Sequence, residues 1–161
     1  GFIWVFRGVM GLLILIHIWA AFVVWSKSKS ARRQGYVVKK TAVDAYAART
    51  MRLTGVFLIA FIVLHILNFT TMTIRTGFAA GATPYDVMTG AFANPAMFCA
   101  YLVFIALVTS HVGHGFWSAF QTMGWVRKNT RVFMLWLSGI IAGAIFIMFM
   151  LPPLAIVLRW I

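Results

Sequence analysis

Four histidines lie inside long apolar runs: His17 within Phe2–Trp25, His65 within Leu53–Ile74, and His111 with His114 within Ala96–Phe120. An ionisable side chain at membrane depth is costly unless it is paired, hydrogen-bonded or coordinated, so each is a candidate site. His111, His114, Ser118 and Gln121 recur at i, i+3, i+7 and i+10, which gathers them on one helical face. That face is expected to point inward. Imidazole can ligate haem iron, hold zinc, relay a proton or satisfy a hydrogen bond inside a packed core. Zinc is disfavoured, because no thiolate or carboxylate is grouped with these histidines. A proton relay would usually recruit acids at membrane depth. The only two acids here, Asp44 and Asp86, fall between the apolar runs. A core hydrogen bond remains an alternative for any single histidine, most of all for His114.

The elements that must carry these residues follow from composition. Of 161 residues, 63% are hydrophobic and only 10% are charged, which is outside the range of soluble domains. With Phe133–Leu158 added, four apolar runs reach the roughly 20 residues that a helix needs to cross hydrocarbon. The expected fold is therefore an all-α integral membrane protein, one transmembrane helix bundle forming a single domain over residues 1–161. The fourth run has no histidine and reads as a packing helix whose end is bent at Pro152-Pro153. Arg75–Pro95, rich in Gly and Pro, reads as an external loop. Cys99 is the only cysteine, so an internal disulfide is excluded, and no C-x-x-C-H attaches haem covalently. Gly1 begins the chain already in an apolar run, so the natural N-terminus is expected to lie upstream.

The net charge of +12 would suit nucleic acid, but its distribution points to topology instead. Lys27, Lys29, Arg32, Arg33, Lys39, Lys40, Arg49 and Arg52 crowd one connector, and Arg127, Lys128 and Arg131 another. With alternating spans, both connectors, 26–52 and 121–131, share a side, and the positive-inside rule makes it the cytoplasmic one. Only Arg7, Arg75 and Arg159 fall opposite. At about 1.5 Å per residue, His17 and His111 then lie at one depth toward the cytoplasm and His65 at another toward the outside. Two imidazoles at matched depth on separate helices can supply both axial ligands of a haem iron. His114, a turn from His111, is better placed for a supporting hydrogen bond. Arg7 near the outer end and Arg49 and Arg52 at the start of the second span are candidate propionate partners, although snorkelling accounts for Arg7 equally well.

The elements Gly11 to His17-Ile, Arg52-x-Thr-Gly55 to His65, and Asn94-Pro95 to His111-x-x-His114-Gly-Phe-Trp-Ser118-Ala-Phe-Gln121-x-x-Gly124 resemble the diheme cytochrome b membrane anchor of succinate dehydrogenase and fumarate reductase. The resemblance covers nearly the whole chain, and its third element is the most specific. It implies five spans, with an axial histidine on each of the first four, so one helix would precede Gly1. His17 and His111 would hold the haem b nearer the cytoplasm. His65 would share the outer haem b with a histidine of the preceding helix. The implied function is electron transfer between a cytoplasmic flavoprotein and iron–sulfur subunit pair and a membrane quinone, with menaquinone the first choice. Trp117, Ser118 and Gln121 are the quinone-site candidates. Loops 26–52 and 125–131 would dock the soluble subunits, in an inner (cytoplasmic) membrane enzyme that could assemble further into a higher oligomer. Dicarboxylate chemistry would take place on the flavin, outside this chain. Some relatives of this kind return protons through an intramembrane glutamate; this sequence contains none, so no such path is expected within it. The competing expectations are a cytochrome b subunit of a formate dehydrogenase or hydrogenase type, and a haem-free transporter or scaffold.

Overall fold

The computed structural model describes the backbone of residues 1–30 and 42–160 and the side chains of residues 1–28 and 50–160. Lys29, Arg32, Arg33, Lys39, Lys40, Arg49 and the acid Asp44 therefore fall outside the described side chains. Five α-helices follow in order: α1 (Phe2–Ser30), α2 (Ala42–His65), α3 (Pro84–Ala93), α4 (Pro95–Thr122) and α5 (Arg131–Val157). There is no strand among the described residues. Among the described residues, four segments are long and apolar enough to cross a membrane: Phe2–Ser28, Thr50–Thr70, Pro95–Thr122 and Arg131–Val157. The protein is an all-α, multi-pass membrane protein. Contacts divide it into two compact units, Gly1–Lys40 and Thr41–Ile161.

Among the described residues, the first unit is α1. Its residues are apolar on every side rather than along one stripe, as expected for a helix solvated by hydrocarbon. Near its start the Arg7 guanidinium stands over the Trp4 ring at 5.2 Å, one turn back along the same helix. That contact favours an interfacial cation held by an aromatic neighbour.

The second unit is a bundle in which α4 packs against both α2 and α5. Hydrophobic driving force is weak between helices in lipid, so close approach of small residues matters more. Gly113 supplies it on the α5 side: a Cβ built there would stand 3.0 Å from Ala142 Cβ and 3.7 Å from the Ser138 carbonyl. Ser138 is buried and donates its hydroxyl to the Met134 carbonyl at 2.9 Å, whereas the Thr109 hydroxyl, one turn before Gly113 on α4, is buried with no hydrogen-bond partner among the described residues. The glycine beside the histidines thus accommodates a helix. α5 runs on through Pro152 and Pro153 as far as Val157.

Two local structures depart from the sequence expectation. Pro84–Ala93, expected to be loop, is a helix. Thr83 Oγ1 accepts from Asp86 N–H at 3.2 Å while the Asp86 carboxylate accepts from Thr83 N–H at 3.2 Å, and Pro84 fills the first helical position. Val87, Ala91 and Phe92 give α3 its buried face. The expected second span, Leu53–Ile74, is α-helical only to His65 and continues as a π-helical turn over Ile66–Thr70. A reversal follows, with Met72 in the left-handed region at φ 52°. Gly77, at φ 78°, then passes so close to Gly90 that a Cβ on either would overlap the other's carbonyl oxygen, at 2.2 and 2.3 Å.

Candidate functional site

The second unit carries His65, His111 and His114, and brings two of them onto the α2–α4 seam at separate levels. At the first, His111 of α4 meets Thr54 and Gly55 of α2. Thr54 Oγ1 lies 3.1 Å from His111 Nδ1, and a Cβ on Gly55 would be 3.6 Å from His111 Cε1. Thr54 is 9% exposed, and its hydroxyl also lies 2.9 Å from the Thr50 carbonyl and 3.1 Å from that of Met51. Thr and Gly in succession do separate work here: the hydroxyl faces one ring nitrogen, and the missing side chain leaves room for the ring edge.

At the second level, His65 of α2 meets Tyr101 of α4, with the phenol oxygen 3.5 Å from Nδ1. Aromatic rings flank the imidazole: Phe61 at 5.8 Å, Phe69 at 5.5 Å and Tyr101 at 6.2 Å between centroids. Tyr101 is buried, and Phe61, Phe69 and Phe92 stand edge-on to its ring. His65 itself is exposed at the surface of the unit, so a ligand can reach it from there. The residue that follows it opens the π turn, a geometry that often marks functional positions. Asn68, in that turn, is completely buried and donates to the Ile74 carbonyl at 2.9 Å. Its Oδ1 has no hydrogen-bond partner among the described residues, so the turn keeps a buried polar atom at a cost of about 1–3 kcal/mol.

Passing from the His111 level to the His65 level moves eleven residues forward on α2, from Thr54, and ten back on α4, to Tyr101. The helices are antiparallel, and the levels stand about 15 Å apart along the axis. His17 lies in α1, within the other unit. His114 is half-buried one turn beyond His111. The helical face expected to point inward does so only in part: His111 and His114 are half-buried, while Ser118 and Gln121 are exposed. Trp117 is half-buried beside them. Two surface cavities, of about 460 and 340 Å³, lie at the other end of the unit. Gly77–Ala82 with Asp86, Thr89 and Gly90 line the larger, and the smaller lies between Phe98 and Cys99 of α4 and Ile156 and Val157 of α5. Arg52 is exposed on α2 less than a turn before Thr54, at the His111 end.

The donor set can be tested against the groups it could hold. Among the described residues no three of His, Cys, Asp or Glu come together, which does not suit a multidentate zinc or di-metal centre. A single imidazole at each level, His65 among aromatic rings and His111 beside Thr54 and Gly55, fits a group that would take one nitrogen from a helix, such as haem iron. Thr54 and Tyr101 are the partners that sequence reasoning did not single out. Thr54 stands inside the Arg52-x-Thr-Gly55 element, and its spacing from His65 mirrors that of Tyr101 from His111. The chain matches no family model, no curated protein and no solved structure.

Proposed function

We propose that this chain is the haem-bearing membrane anchor of a succinate:quinone oxidoreductase, carrying electrons between an iron–sulfur subunit and a membrane quinone. The observation that carries this reading is the pair of histidine levels on the α2–α4 seam, His111 with Thr54 and His65 with Tyr101. A spacing of about 15 Å along antiparallel helices suits two redox centres stacked across a membrane. The resemblance of the His111-to-Gly124 segment to diheme anchors supports the same reading.

In this account His111 and His17 would hold the haem b nearer the cytoplasm, and His65 would hold the outer haem b together with a ligand from outside residues 1–161. Each group, when bound, supplies a one-electron couple whose potential the protein tunes through axial ligands, hydrogen bonds and burial. Arg49 and Arg52 would neutralise propionates, and Arg7 would be a further partner only if it left its contact with Trp4. His114 supports its neighbour by a hydrogen bond to a propionate or a quinone oxygen. Trp117, Ser118 and Gln121 present an aromatic face and two hydrogen-bonding groups at the cytoplasmic end of α4, where a menaquinone headgroup would dock. The basic connectors, 26–52 and 121–131, face the cytoplasm of an inner-membrane enzyme and receive the iron–sulfur and flavoprotein subunits.

Affinity purification of the full-length protein from its native membrane tests this reading. The expected result is a b-type reduced-minus-oxidised spectrum together with co-purified succinate-oxidising flavoprotein. Co-purification of a formate- or hydrogen-oxidising partner would assign the chain to another respiratory complex. Absence of b-type absorbance would contradict haem binding altogether.

A further inference from the structure

We propose that Thr54 is a positioning residue for His111, fixing the imidazole as the Nδ1–H tautomer so that Nε2 is the nitrogen presented to the iron. This inference rests on the haem-anchor reading above. Thr54 Oγ1 has one proton and three neighbours: the Thr50 carbonyl at 2.9 Å, the Met51 carbonyl at 3.1 Å and His111 Nδ1 at 3.1 Å. Carbonyl oxygens only accept, so the hydroxyl proton goes back along α2, as it commonly does for a threonine inside a helix. The oxygen lone pairs then face Nδ1, and the bond between them forms when Nδ1 carries the hydrogen. In a neutral imidazole that arrangement puts the lone pair on Nε2.

Packing enforces the same choice of nitrogen. Gly55 lies against the ring at Cε1, 3.6 Å from a Cβ position, and Thr54 lies against Nδ1, so the Nδ1–Cε1 edge is seated on α2. A metal at Nδ1 would have to displace the hydroxyl of Thr54, a residue only 9% exposed. A ligand histidine whose other N–H donates to an oxygen is a better electron donor, and that favours the oxidised iron. Thr54 therefore holds down the potential of the haem that His111 binds. His65 differs, because its Nδ1 stands 3.5 Å from a phenol, at the limit of hydrogen bonding. The two levels thus carry unequal hydrogen bonding to their axial histidines.

Redox titration of the purified holo-complex tests the assignment, using Thr54→Val, which keeps the shape and deletes the acceptor, and Thr54→Ser, which restores it. The Val variant is expected to raise the midpoint potential of the component that His111→Ala removes. The expected shift is roughly tenfold in the reduced-to-oxidised ratio, about 59 mV for one electron, with the other component unchanged. The Ser variant is expected to titrate like wild type. If the Val variant does not assemble, Thr54→Cys, a weaker acceptor, is expected to lie between wild type and that shift. A haem-loaded Val or Cys variant with wild-type potentials would overturn the role of Thr54 and leave the haem-anchor reading standing. A wild-type complex without b-type haem would overturn that reading itself.

Discussion

Each histidine of the second unit is defined by what lies beside it, and small changes there have calculable consequences. A methyl group on Gly55 would stand at an ordinary van der Waals distance of 3.6 Å from His111 Cε1. Gly55→Ala is therefore expected to leave the His111-dependent absorbance near wild type, whereas Gly55→Leu should push the ring out of place and lose it. Difference spectra of the two variants, normalised to protein, check this. Tyr101→Phe keeps the ring that Phe61, Phe69 and Phe92 surround and removes only a 3.5 Å contact, so stability should change by less than about 1 kcal/mol. Tyr101→Ala empties that aromatic cluster and should cost about 3–5 kcal/mol, measurable as a large loss of thermal stability in detergent. The histidines and their spans are legible in the sequence because ionisable groups in apolar runs stand out. Their partners are not, since Thr54 and Tyr101 become neighbours of His111 and His65 only through the register of α2 against α4.

At the scale of elements, the long spans follow from hydrophobic length alone, while the features between them depend on local hydrogen bonding. α3 is hidden by the glycines and prolines of the Arg75–Pro95 segment around it, which composition reads as loop. The signal that could have revealed it is Thr83-Pro84-Tyr85-Asp86, where a cap, a first-turn proline and an acid three residues on form a reciprocal pair. Thr83→Ala should weaken α3 by about 1 kcal/mol, seen as faster amide exchange across Pro84–Ala93 with α4 unaffected. The π turn after His65 has no comparable pattern in the residues, because it depends on Asn68 reaching forward to the Ile74 carbonyl. Packing of α4 on α5 also makes a sharp demand. A Cβ on Gly113 would already stand 3.0 Å from Ala142 Cβ, so Gly113→Leu should overpack this crossing by about 1–3 kcal/mol and lower the melting temperature.

At the scale of the whole molecule, what can be located is the chemistry of the second unit, which is polarised along the α2–α4 seam. Histidine and threonine meet at one end of the α2–α4 seam, and histidine and tyrosine meet about 15 Å away at the other. Arg52, Arg127, Lys128 and Arg131 fall at the His111 end of this unit. Sequence made this polarity visible through the positions of charge and histidine. It could not supply the seam itself, since helix periodicity says which residues share a face and not which face meets which helix. The central claim is that one chain holds axial ligands for two separate haems, His17 with His111 at one and His65 at the other. Reduced-minus-oxidised spectra of the purified complex, recorded for wild type and for His17→Ala, His65→Ala and His111→Ala, test it most directly. The account predicts two b-type components, with the His17 and His111 variants losing the same one and the His65 variant losing the other. Loss of different components from the His17 and His111 variants, or no b-type absorbance in wild type, would contradict it.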